Sequence, residues 1–265
     1  MKTVSVVVPN YNNSKYIGDC IRSIQSQTYP IDEIVIYDDL STDNSRELLK
    51  ELAAVDNRIR LMLADENRGV SFARDTAIRS CHSEYVTTLD ADDTYYDKDK
   101  IKREMDIINE CSEMACAFSQ TVLTDEGGNV TGNLEILDLQ KDFRYKTITQ
   151  SIGVYVARDF CMPVEAYKQV GGYVHDMTLF EDWDLSLKLL SVCPFYFSGG
   201  HGTAYRQKNS GLSDVSQKKI LKAKLRGHNQ ARAYLKYTFG EEAGFYFRTY
   251  YQVLKTCIRK VMGRI

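Results

Sequence analysis

Three acidic groups in this chain have the residue types and spacing to do chemistry. Asp90 and Asp92 stand two positions apart in Leu-Asp-Ala-Asp-Asp, at the expected end of a β-strand, where the period of two points both side chains the same way. Two such carboxylates can share one cation. Their hard oxygens suit Mg2+ or Mn2+, ions commonly completed by substrate phosphates. The same run also reads as an acidic helix opening, because Asp caps helices well. In Asp38-Asp39-Leu40-Ser41-Thr42-Asp43, Thr42 or Asp43 is expected to cap the next helix, which leaves Asp39 over. As an acceptor-only group, Asp39 can take the imide proton of uracil or a ribose hydroxyl. Asp182 opens a predicted helix, a place where the dipole favours acids regardless of chemistry. Tyr11 can stack on a base or serve as an interfacial aromatic.

The elements that must position these groups alternate short β-branched runs with amphipathic segments, the pattern of parallel strands joined by crossover helices. Strands are expected at Val4 to Val8, Ile34 to Tyr37, Ile59 to Leu63 and Tyr85 to Leu89. Helices lie between them, the first capped by Ser14 and burying Ile17, Cys20, Ile21 and Ile24, the second turning Leu48, Leu49 and Leu52 inward, the third around Phe72 to Ile78. Near-continuous apolar strands imply cover on both faces, hence an open, doubly wound α/β sheet whose ligands bind beyond the strands' carboxyl ends. Pro9-Asn10-Tyr11-Asn12, Asp38-Asp39, Asn67-Arg68-Gly69 and Asp90 to Asp93 all fall there. Later, Ala115 to Leu123 and a partner after the Glu126-Gly127-Gly128-Asn129 turn predict a hairpin. Val154 to Ala157 reads as a strand, Pro163 to Gln169 as a helix stopped by Gly171-Gly172, and Asp182 to Leu190 as another helix.

Composition bounds the function. With 265 residues and 43% hydrophobic content the chain can build one sizeable core, and a net charge of −2 gives no reason to expect a nucleic-acid partner. Its seven cysteines (Cys20, Cys81, Cys111, Cys116, Cys161, Cys193, Cys257) lack finger or Cys-x-x-Cys spacing and read as reduced thiols of a cytoplasmic protein. Neither a secretory leader nor a spanning helix is expected, so the sequons at Asn12 and Asn129 are taken as chance matches.

Taken together, Val-Val-Pro9-Asn10-Tyr11-Asn12, Asp38-Asp39-x-Ser41-x-Asp43, Asn67-x-Gly69-x-x-x-Ala73-Arg74, Leu89-Asp90-Ala91-Asp92-Asp93 and Glu181-Asp182-Trp183-Asp184-Leu185 resemble the ordered motif set of family 2 glycosyltransferases over roughly residues 3 to 210. The resemblance implies a GT-A fold: a nucleotide-binding half (1–114) and an acceptor half (115–213) without an independent core. It implies that Pro9, Tyr11, Asp39 and Arg74, with neighbouring Asn12 and Asn67, hold the nucleoside diphosphate of a sugar donor, UDP above others. Asp92 would be the main metal ligand, with Asp90 helping it or meeting the ribose, and Asp182 the base of an inverting transfer to an acceptor hydroxyl, on a glycan or lipid-linked glycan of a bacterial surface polysaccharide. Glu181, Trp183 and Arg206 are expected on the acceptor side. His201 reads as a loop histidine, and Gln207, Lys208 and Asn209 occupy a loop where relatives often carry a histidine, so no third metal ligand is expected from it.

Residues 214 to 265 stand outside the resemblance. From Lys218 to Ile265 a dozen Lys and Arg, interleaved with aromatics from Tyr234 to Tyr251, face only Glu241 and Glu242. Two readings stay open: helices on the inner face of the plasma membrane, or helices packed on the domain with a solvated basic face. A non-catalytic nucleotide-sugar-binding protein of the same fold is the rival from another class. A nucleotidyltransferase lacks its Gly-rich phosphate loop here, and a dinucleotide dehydrogenase its Gly-x-Gly-x-x-Gly.

Overall fold

The computed structural model describes residues 1–132, 134–149, 159–208 and 216–262. Its central sheet is built on Val4–Asn10 (β1), which pairs in parallel with Glu33–Asp38 (β2) and Tyr85–Thr88 (β4). Ile59–Leu63 (β3) extends the parallel pairing beyond β2, and short Met162–Pro163 (β7) closes the other edge antiparallel to β4. The order is β3-β2-β1-β4-β7.

Both faces of this sheet are covered, which is why every residue of β1 is buried. Val4, Val6 and Val8 pack in one cluster with Ile17 and Ile21 of Ile17–Gln25 (α1), Leu49 of Ser45–Val55 (α2) and Ile101 and Met105 of Lys100–Glu110 (α4). Val7 points the other way, to Ala73 and Ala77 of Val70–Arg79 (α3). That second cluster also takes Tyr167 of Val164–Gln169 (α6), Leu185 of Glu181–Leu189 (α7) and Phe143 of Phe143–Ile148 (α5). The two halves therefore share one core, as a GT-A fold requires.

The second sheet differs from expectation. Cys116–Thr124 (β6) lies parallel to Phe195–Arg206 (β8), with register shifts around Gln120, and Thr94–Tyr95 (β5) completes the order β5-β8-β6. Among the described residues the predicted hairpin is reduced to the bridge Thr124 to Val130, and the strand pairs along its length with β8 instead. His201 accordingly sits inside β8, not in a loop. Nor does Ser14 cap α1: its N–H donates to Asp43, and Tyr16 occupies the cap position. The strand expected at Val154 to Ala157, most of the loop from Gln207 to Ser213 and the boundary at 213/214 lie outside the described residues.

Gln217–Ala231 (α8) and Phe239–Met262 (α9) pack on the domain. Ala231 and Leu235 join Ile148 and Leu187 in a small cluster, and the ring of Phe245 stacks on Trp183 at 5.8 Å. On the other side of α9, Phe247, Tyr251 and Leu254 are exposed at helical spacing. No helix among the described residues is long and apolar enough to cross a membrane.

Candidate active site

The carboxyl ends of β1, β2, β3 and β4 open into one cavity of about 860 Å³. From β1 come Pro9, Asn10 and Tyr11, and from the β2 end Asp39, while Asn67 and Gly69 precede α3. Asp38 and Asp39 divide their work. Asp38 is fully buried, and although burial raises its pKa, bonds from Ser41, Arg46 and Asn10 hold the carboxyl below the usual range. It is an anchor. Asp39 reaches the cavity wall, its two oxygens accepting the N–H groups of Arg68 (2.9 Å) and Gly69 (2.7 Å), while Asn67 Nδ2 donates to its carbonyl. Gly69 achieves this at φ +85°, backbone that side-chain-bearing residues rarely adopt. Asn12 stands outside the lining. Held at φ 53°, it accepts the N–H of Thr42 at 2.8 Å and so ties the β1 loop to the β2 loop.

The acidic motif is a turn, not a continuation of β4. Asp93 N–H donates to the carbonyl of Asp90 at 3.0 Å, and this fold-back brings one oxygen from each of Asp90, Asp92 and Asp93 within 4.8 Å of one another. Three hard oxygens at that spread fit a single Mg2+ or Mn2+. Asp93 was not expected among them, because period-two reasoning selects only alternate residues. Arg206 braces this turn: its N–H bonds Asp93 Oδ1 and its Nε bonds the Asp92 carbonyl, and it stands outside the cavity lining. Lys208 adds a cation of the chain's own, its Nζ 2.8 Å from Asp92 Oδ2.

Arg74 joins the acidic turn to the start of α7. Nearly fully buried, it donates to Asp90 (2.7 Å), Glu181 (3.1 Å) and Asp182 (3.0 Å). Three carboxylates on one guanidinium give it an organising role. Asp182 also accepts the hydroxyl of Tyr173 at 3.1 Å, a partner with no motif to announce it. Glu181 is pushed up to about 7, by burial first and then by the charge of Asp182, with Arg74 pulling the other way. Trp183 lines the cavity with its Nε1 bonded to the Thr147 carbonyl at 2.7 Å. Lys146, Lys224, Arg248 and Gln252 line the same cavity, and none of them was anticipated from sequence.

Comparison with known proteins agrees with this geometry. The family model described as Glycosyl transferase family 2 matches residues 5–171. TuaG of Bacillus subtilis, named for teichuronic acid biosynthesis, is 39% identical over 118 residues, 44% of this chain and 45% of that protein. Chondroitin synthase of Escherichia coli is 30% identical over 192 residues, 72% of this chain and 27% of that protein. This chain thus spans less than half the length of either relative. Among solved structures, S. aureus TarS 1-349 with UDP-GlcNAc superposes at a TM-score of 0.72 with 17% identity, covering 92% of this chain and 70% of that one. The mannosyltransferase PcManGT from Pyrobaculum calidifontis, solved with GDP-Man and Mn2+, gives 0.64 at 17% identity over 94% of this chain and 69% of that one. Both show the GT-A fold.

Proposed function

The chain belongs to glycosyl transferase family 2, and from that premise we propose that it transfers a sugar from a UDP-sugar to a hydroxyl of a glycan or lipid-linked glycan, with inversion. One observation carries the proposal: the acidic turn and Asp182 share a cavity and are joined through Arg74. Direct displacement needs the nucleophile and the leaving group on opposite faces of the anomeric carbon, and a base where the nucleophile arrives.

Asp182 takes the proton of the acceptor hydroxyl as that oxygen bonds to the anomeric carbon, and the bond from this carbon to the donor's phosphate oxygen breaks. Tyr173 and Arg74 orient Asp182 for this, so little side-chain freedom is lost at the moment of attack. Pro9, Tyr11 and Asp39 hold the nucleoside, Tyr11 offering an exposed ring for stacking and Asp39 the oxygen lone pairs that its two backbone bonds leave over. Asp92, with Asp90 and Asp93, would hold a Mg2+ or Mn2+ ion, whose charge would offset that of the departing diphosphate. UDP is favoured over other nucleotides because TarS 1-349 was solved with UDP-GlcNAc, and a cell-surface polysaccharide acceptor because TuaG is named for teichuronic acid biosynthesis.

A cytoplasmic site on the inner membrane face agrees with the exposed aromatic stripe of α9. Loss of liposome pelleting on removal of residues 216 to 265 would support that placement; equal pelleting would remove it.

A thermal-shift screen of nucleotide sugars with and without Mn2+ tests the reading. One donor should raise the melting temperature by several degrees only when the metal is present. If no nucleotide sugar stabilises the protein under either condition, the donor site is misassigned.

A further inference from the structure

Three cations from three helices reach the cavity wall on the side of the proposed base: Lys146 of α5, Lys224 of α8 and Arg248 of α9. The link to the base is short. Lys224 Nζ lies 5.3 Å from the ring centre of Phe180, the residue that precedes Glu181 and Asp182, and Phe180 meets Trp183 edge-on. Lys224 is only 8% exposed. Its ammonium bonds Gln252 Oε1 at 2.8 Å, a neutral acceptor, and among the described residues neither Lys224 nor Arg248 forms an ion pair with a carboxylate. Burial first, and then the charge of Arg248, push Lys224 down to about 8.

A lysine on a solvated helix face needs no partner, but a buried one beside a second cation is costly unless an anion completes the group. Lys146 is a further cation, and its one side-chain bond among the described residues goes to a neutral acceptor, the Asp138 carbonyl, at 3.5 Å. Glu181 and Asp182, the acids of α7 that line the cavity, are already engaged by Arg74. The position for negative charge is thus left to what enters the cavity.

We infer that the acceptor carries a fixed negative charge, a carboxylate or a phosphate, which Lys224, Arg248 and Lys146 hold while its hydroxyl meets Asp182. This rests on the reading of Asp182 as the base. It makes α8 and α9 a specificity element of the transfer, because an acceptor without the charge leaves buried cations uncompensated.

The test uses the full chain saturated with UDP and Mn2+, so that the donor site is filled. Failure of UDP to bind would count against the donor-site reading, separately from this one. Four probes are titrated by calorimetry: a glucuronate-bearing tetrasaccharide, its carboxyl-reduced neutral twin, a short isoprenyl-diphosphate-linked sugar, and the matching phosphate-free isoprenyl glycoside. At least one charged probe should bind about tenfold more tightly than its neutral twin, and which pair shows the gain names the source of the charge. The gain should vanish in Lys224→Met with Arg248→Met and survive in Lys224→Arg. Should the double variant fail to fold, Lys146→Met must reduce the gain, and high ionic strength must reduce it in the unmodified protein. Equal binding within both pairs, or a gain that these substitutions leave intact, overturns the inference.

Discussion

Arg74 and Asp182 are 108 positions apart in the chain and meet at 3.0 Å, with Asp90 on the same guanidinium at 2.7 Å. A buried cation is thereby shared between the residue proposed to take a proton and the turn proposed to hold the donor's charge. Its removal leaves carboxylates without their counter-charge in a poorly solvated place.

Replacing Arg74 by Met should therefore lower stability by about 3–5 kcal/mol, the range for breaking a buried ion pair from one side. Arg74→Lys keeps the charge but loses the planar fork, so it should recover part of that stability and little of the transfer rate. Urea denaturation with parallel activity assays checks both. An Arg74→Met protein as stable as the parent would show that the three contacts carry little energy.

Glu181 makes stability and rate respond to pH in opposite ways. Its carboxyl is raised to about 7 in the folded chain from an ordinary 4.5, so between those values the folded state binds more protons than the unfolded one. Its contribution is fully present below pH 4.5 and lost as pH rises to 7, costing about 1–3 kcal/mol. Transfer should instead rise with pH through neutrality, because an ionised neighbour makes Asp182 a better proton acceptor. Glu181→Gln should flatten both the melting temperature and the rate between pH 5 and 7.5; unchanged slopes would detach Glu181 from the site.

Lys208 sits 2.8 Å from Asp92, where the proposed divalent ion would bind. Its ammonium competes for the same oxygens, so Lys208→Met should tighten Mn2+ binding to the nucleotide-free protein about three- to tenfold. Paramagnetic resonance titration of free Mn2+ measures this directly. Weaker binding in the variant would mean that Lys208 assists the ion.

Gly69 offers a test of the Asp39 clamp. At φ +85° a β-branched residue is strained, and Gly69→Val should lower stability by about 1–3 kcal/mol. UDP affinity should fall with it, since the N–H that orients Asp39 moves. An intact UDP affinity would remove Asp39 from nucleotide binding.

How much of this could be read beforehand depends on whether the signal is local. Val4, Val6 and Val8 against Val7 announce a strand covered on both faces, and Pro9, Asp39, Asp90 and Asp182 stand at element ends that a parallel sheet gathers at one edge. Asp93 escaped because a strand period of two pairs only Asp90 with Asp92, whereas the Asp93 to Asp90 bond folds the run into a turn. Pairing of β6 with β8 joins Cys116 to Phe195, a distance along the chain that no neighbouring residue encodes, while the Gly-Gly turn nearby signals a hairpin strongly. Lys224 and Arg248 belong to the basic segment for which both a membrane-facing and a solvated basic face stay open, since helical charge spacing does not say which side packs inward. Nothing in the spacing of Arg206 and Asp93, 113 positions apart, announces the bond by which Arg206 braces the acidic turn.

The account's central claim is tested most directly by Asp182→Asn, assayed twice on the same preparation. Calorimetry with the donor found in the thermal screen should give an affinity within about twofold of the parent, while single-turnover transfer should fall by about a hundredfold to ten-thousandfold, the range for a lost general base. Transfer at the parent's rate, or donor binding lost together with it, would contradict the placement of a proton acceptor at Asp182.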